Sequence, residues 1–130
     1  PANLTGQFIT GIRDVRADYR NRHFDLFVHV SRSEGFSLAV AEALSCGIPV
    51  LATDSGGVSD MVDGTVGRLI SNDIDPEQLA DHLNDMLSEP EALAAKKNAA
   101  QARWREVADA DINYSMFTQA LSTLAQGGIP

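Results

Sequence analysis

Between Ser31 and Asp54 the chain reads SRSEGFSLAVAEALSCGIPVLATD. Leu38–Cys46 is almost wholly apolar or small, with Ser37 in front as a good N-cap and Gly47 and Pro49 behind as a stop. Val50-Leu51-Ala52-Thr53 follows at once, and its unbroken apolar character predicts a strand covered on both faces. A short apolar helix leading straight into a buried strand is one step of a parallel sheet, because parallel strands need such crossovers.

The flanking segments extend the same pattern. Asp25 to Val30 is a nearly continuous run of β-formers and predicts a second strand buried on both faces. Asp14 to Arg22 reads as a short helix, with Val15 and Tyr19 at i, i+4, and Gln7–Thr10 as an edge strand. After the flexible turn Asp54-Ser55-Gly56-Gly57 come one helical turn over Val58–Val62, a turn at Asp63-Gly64 and a strand over Val66–Ile70. From Asp75 the pattern is helical. Asp75 can cap, Pro76 takes the first position and Gln78 completes a capping box, with Leu79, Leu83, Met86 and Leu87 as one apolar stripe. Ser88 and Glu91 predict a second box opening a long alanine-rich helix to Val107, in which Trp104 is packing. Asn113 is expected to cap a third helix with Phe117, Ala120, Leu121 and Leu124 facing the core. The fold class is therefore α/β, a Rossmann-like parallel sheet with helices on both faces and a helical carboxyl-terminal tail.

At 130 residues this is one domain's worth of sequence. It begins with Pro1 rather than Met, which predicts a piece cut from a longer protein. No apolar run reaches the length of a membrane span, and the first residues do not form a signal peptide. The net charge of −8 argues against a nucleic-acid partner. That charge is uneven. Residues 1–33 carry five arginines against three aspartates, and the remainder carries five basic against fifteen acidic residues. The lone cysteine, Cys46, excludes an intrachain disulfide, fits a reducing compartment and reads as a small buried filler at a helix end.

In parallel α/β sheets ligands sit at the carboxyl ends of strands. The loops Ser31–Ser37 and Asp54–Gly57 both leave such ends and are expected to share one cleft. Glu34 stands in the first loop, where packing asks for no acid. Gly35 lets backbone approach a ligand closely. Phe36 is expected to plug the core with its side chain, leaving its backbone N–H for function. Ser37 and Leu38 offer N–H groups at a helix start, suited to a phosphate. Glu42 lies one turn further on, the only acid in that helix. Ionised carboxylates are pure acceptors and suit hydroxyls. The set matches a ligand anionic at one end and rich in hydroxyls at the other, as a sugar nucleotide is. His23, His29 and His82 show no metal-ligand spacing, and no Ser/His/Asp set is visible.

EGFSLAVAE, ALSCGIPVLATDSGGVSDMVDGTVGRLI and the acidic helix opening DPEQLA together resemble the carboxyl-terminal domain of GT-B retaining glycosyltransferases, most of all family 4, the glycosyl transferases group 1. The resemblance runs from about Phe8 to Leu87, and more loosely to the end. It implies a nucleotide-sugar donor as substrate, with no other cofactor and no protein-held metal. Two glutamates separated by seven residues are the hallmark, matched by Glu34 and Glu42. By resemblance Glu34 contacts the donor sugar near the reacting carbon, Gly35 and Phe36 touch sugar hydroxyls through backbone N–H groups, Ser37 and Leu38 lie near the diphosphate, and Glu42 binds the ribose. Two departures stand out: Val30-Ser31 replaces the usual Pro-Ser, and Asp60 is the nearest match to a glutamate after the Gly-Gly.

The resemblance further implies that residues 1–130 form a partial donor-binding domain, and that an amino-terminal domain of the same enzyme carries the acceptor site. The chain alone is then expected to turn over little or nothing. The complete protein would be cytoplasmic, at the inner face of the membrane by peripheral association, and would serve polysaccharide or glycolipid synthesis. Alternatives are a sugar-nucleotide epimerase or phosphorylase-like enzyme of the same architecture, and a non-catalytic partner or regulatory domain. A plain dinucleotide binder would need G-x-G-x-x-G after a strand, which is missing.

Overall fold

In the computed structural model, residues 6, 7 and 9–127 are described. Three strands form one parallel sheet in the order β1 (Phe27–His29), β2 (Val50–Thr53), β3 (Gly67–Ile70). Between and after them run α1 (Val15–Arg22), α2 (Leu38–Ser45), α3 (Val58–Met61), α4 (Pro76–Leu87), α5 (Pro90–Val107) and α6 (Ala110–Ala125).

Register explains the layering. Phe27, Val50 and Gly67 are cross-strand partners, as are His29 and Ala52, so odd β1 residues and even β2 residues share a face. On that face Val50 and Ala52 pack with Val40, Ala43 and Leu44 of α2, Val58 and Met61 of α3 and Ala100 of α5. Leu51 and Ile70 point the other way and meet Met86, with Leu79 and Leu83 of α4 beside them. All four residues of β2 are buried, as its apolar run predicts.

Local chemistry sets the element ends. The Asp75 carboxylate accepts from the Gln78 N–H at 2.8 Å with Pro76 at the first position, as the sequence predicts, but among the described residues no return bond from the Gln78 side chain completes the capping box. Gly47 takes a left-handed φ of +76° after α2, the conformation that glycine tolerates and that stops the helix. Across the sheet's edge, Arg103 of α5 donates to the carbonyls of Asp60 (2.8 Å) and Met61 (3.2 Å), and Lys97 pairs with Asp25 at 2.7 Å.

Several expectations need correction. The strand at Asp25–Val30 shrinks to Phe27–His29 and lies at the sheet edge. Among the described residues its outer face is only partly covered, leaving Val28 40% exposed. Of the proposed edge strand Gln7–Thr10, Gln7, Ile9 and Thr10 carry no regular structure, and Phe8 lies outside the described residues. Ser88 ends α4 rather than opening a capping box, because its hydroxyl bonds back to the Asn84 carbonyl and Pro90 sets the start of α5. Leu87 falls off the α4 stripe onto the solvent side. Asp109, not Asn113, caps α6, accepting from the Asp111 and Ile112 N–H groups. The apolar side of α6 does not face the core: Phe117 is 60% exposed, and Leu121 and Leu124 are exposed as well. Cys46 is only half-buried, its thiol near the Arg16 carbonyl at 3.5 Å. Among the described residues no helix is long and apolar enough to cross a membrane.

Candidate functional site

The site grows from the carboxyl edge of the sheet. Where β1 ends, the Ser31 N–H donates to Thr53 Oγ1 (2.9 Å), and the Thr53 hydroxyl donates back to the Ser31 carbonyl (2.6 Å). That reciprocal pair pins the Ser31–Ser37 loop to β2. A second fastening lies further along: the Gly57 N–H donates to the Gly35 carbonyl at 2.7 Å. Gly56, at φ +54°, sits so close that a Cβ there would lie 1.9 Å from the Glu34 carbonyl oxygen. The two loops expected to share an edge are thus in backbone contact, and only glycine fits at the junction. A Cβ at Gly35 would meet nothing within 4 Å, so that side of the loop is open.

Glu34 is half-buried, and its Oε1 lies 2.7 Å from His29 Nε2. The same ring nitrogen is 3.4 Å from the Ser37 hydroxyl. Ser37 is 7% exposed and adopts a left-handed φ of +57°. It stands at the N-cap position as predicted, but its side chain makes no capping bond. The first-turn N–H groups of an α-helix have no intrahelical acceptor. With no side-chain cap, those of α2 are left for an outside anion, helped by the helix dipole.

Glu42 is half-buried one turn, about 6 Å, along α2. No hydrogen bond within the described residues ties its carboxylate to Glu34. Burial chiefly, then the negative charge of Glu42, push the Tyr19 phenol of α1 above its ordinary range. Phe36 is 46% exposed and does not plug the core. Leu38 is 72% exposed, so only its backbone belongs to the packed start of α2. Ser55, next to the glycine pair, keeps a buried hydroxyl without a partner among the described residues.

His29 is the residue that sequence reasoning passed over. A usable signal was present: a polar side chain ending an apolar strand, five residues before Glu34 and on the α2 side of the sheet. A cavity of about 240 Å³ beside Tyr19, Phe24, Cys46 and Ile48 lies at the amino edge of the sheet and includes none of these groups. The arrangement at the carboxyl edge offers two acceptor carboxylates, a buried hydroxyl and a set of N–H donors. That is the equipment for holding a ligand with hydroxyls and a phosphate, on a Rossmann-like half-domain.

Comparison with known proteins gives this class its family. The Glycosyl transferases group 1 profile matches residues 6–103, and the chain belongs to that family. It is 37% identical over 103 residues to the D-inositol 3-phosphate glycosyltransferase of Nocardiopsis dassonvillei, covering 75% of this chain and 24% of that protein. It is 38% identical over 85 residues to the lipopolysaccharide core biosynthesis mannosyltransferase LpsB of Rhizobium meliloti, covering 63% and 24%. Among solved structures, HepE of Anabaena in complex with UDP superposes with a TM-score of 0.69 at 29% identity, over 76% of this chain and 28% of HepE. The carboxyl-terminal domain of LpcC, a glycosyl transferase group 1 family protein of Francisella tularensis, superposes at 0.61 and 28% identity, over 74% and 50%. The fold is that of part of the GT-B glycosyltransferases. The chain spans about a quarter of the length of the curated relatives it matches.

Proposed function

We propose that this chain is the donor-binding part of a retaining, family-4 glycosyltransferase. The whole enzyme would move a hexosyl or related sugar from a nucleotide diphosphate to a glycan or lipid acceptor, in cell-surface polysaccharide or glycolipid synthesis. The observation that carries this reading is the placement of Glu34, locked by two loop contacts at the carboxyl edge of the sheet beside the uncapped start of α2. LpsB, named as a lipopolysaccharide-core mannosyltransferase, supports the acceptor class, whereas the D-inositol 3-phosphate transferase name supports glycosyl transfer alone. HepE, solved with UDP and with UDP-glucose, supports the donor class.

In this mechanism the first turn of α2, with basic groups elsewhere in the enzyme, takes up the charge that develops on the departing diphosphate. The nucleotide sugar is the only small molecule required. Glu34 positions the sugar and supports the oxocarbenium-like charge at the reacting carbon. Gly35 and Phe36 offer backbone N–H groups to sugar hydroxyls, Ser37 and Leu38 lie at the diphosphate, and Glu42 accepts from the ribose hydroxyls. An amino-terminal domain of the same enzyme brings the acceptor, so residues 1–130 are one partial domain with little turnover of their own. The complete protein works in the cytoplasm, peripherally at the inner face of the membrane.

Calorimetric titration with UDP, GDP, ADP and their sugars tests this, with wild type compared to Glu42→Ala. Weak, base-selective binding that the substitution abolishes is the expected outcome. A complete enzyme that neither binds nor turns over any donor would transfer the chain to the non-catalytic, regulatory reading.

A further inference from the structure

We infer that His29 is a positioning residue for donor recognition: it orients the Glu34 carboxylate towards the sugar and leaves the Ser37 hydroxyl proton for the ligand. This rests on the donor-site reading above and adds a residue to it. His29 ends β1 opposite Ala52, which is fully buried, and its ring stacks on Phe27 at 6.1 Å and 13°. The imidazole is therefore held by a strand and an aromatic neighbour, whereas Glu34 stands on a loop with no regular structure. A glutamate on a loop loses rotamer freedom when it binds, and a fixed partner removes that cost beforehand.

The contact also fixes where the protons lie. A carboxylate only accepts, so at 2.7 Å from Glu34 Oε1 it is His29 Nε2 that carries the hydrogen. A protonated ring nitrogen has no lone pair for the Ser37 hydroxyl 3.4 Å away. That hydroxyl proton is left for an acceptor that the ligand brings, beside the N–H donors at the uncapped start of α2 where Ser37 is held in its left-handed conformation. Within the described residues no hydrogen bond takes up Glu34 Oε2, so this oxygen remains for a sugar hydroxyl. Strand, imidazole, carboxylate and hydroxyl form one chain of contacts ending in an acceptor for the sugar and a donor for the phosphate.

The test compares each nucleoside diphosphate with its sugar on the complete transferase, using UDP and UDP-glucose, GDP and GDP-mannose, ADP and ADP-glucose. His29→Ala should weaken the nucleotide sugar about tenfold relative to the free nucleotide, the scale of a lost hydrogen bond to a charged group. His29→Gln, which keeps an N–H at that reach, should recover most of it. Adding His29→Ala to Glu34→Ala should cost nothing more. Equal weakening of nucleotide and nucleotide sugar, or no change, would overturn the inference. If Glu34→Ala weakens the sugar while His29→Ala does not, only His29 loses its role. If no donor binds, or Glu34→Ala is silent, the donor-site reading itself fails. Long-range ¹H–¹⁵N spectra of the wild type need no variant: an Nε2–H imidazole at His29 supports the inference, and an Nδ1–H form overturns it.

Discussion

Helices α2 and α6 are both rich in apolar residues, yet they end in opposite environments. In α2, Val40, Ala41, Ala43 and Leu44 are buried against β2, α3 and α5. In α6 no residue is buried, and Ile112, Tyr114, Met116, Phe117, Leu121 and Leu124 are exposed. Apolar periodicity says that a helix has a face to hide but not what hides it. For α2 the cover comes from β2 directly after it and from α3 and α5 later in the chain. Among the described residues, α6 leans chiefly on α5.

This contrast can be broken by measurement. Leu44→Ala, at a fully buried position, should lower unfolding stability by about 2–5 kcal/mol, while Leu121→Ala should stay within about 0.5 kcal/mol. Equal losses in denaturant titrations would show that α6 is covered in solution. Next in size is Gly56→Ala, expected to cost about 1–3 kcal/mol because its Cβ would collide with the Glu34 carbonyl at an already left-handed φ. Gly35→Ala, with open space around it, should change stability little. Caps sharpen the comparison further. Removing the Asp75 carboxylate should cost about 1 kcal/mol of global stability. Asp109→Ala should instead show as faster amide exchange confined to α6.

The smallest effect concerns pH and the tie between α5 and the turn after α3. The Thr65 hydroxyl above all, then the Thr65 N–H and nearby Arg103, hold the Asp63 carboxyl below its ordinary range. A depressed carboxyl stabilises the fold above its unfolded value, roughly pH 4, and that contribution is lost as pH falls through the lower folded value. Wild type should therefore lose slightly more stability than Asp63→Asn on acidification across that window, as read by thermal unfolding.

The legible parts of the fold were those written locally. Val50–Thr53, the Asp75 cap and the Gly47 stop stand where residue chemistry puts them. Glu34, Gly35 and Ser37 were singled out as candidates through their sequence neighbours, and the meeting of their loop with Gly56-Gly57 was expected from sheet topology. What escaped depends on distant groups. The role of His29 needed the pleat direction of a three-residue strand, and Phe36 looked like core because a loop's path is not in its composition. The cap of α6 was misplaced because aspartate and asparagine are both good caps, and only the backbone path chooses Asp109.

The Ser31–Thr53 clasp has a consequence for engineering. Its two partners are 22 residues apart in sequence, and both hydrogen bonds between them depend on β1 lying beside β2. The E-x7-E stretch is therefore not portable: synthesised as a peptide or grafted onto another scaffold, it would leave behind the hydroxyl that fixes its entrance and the glycines that hold its turn. The smallest transferable unit of this site is the pair of crossed loops with both strands that feed them.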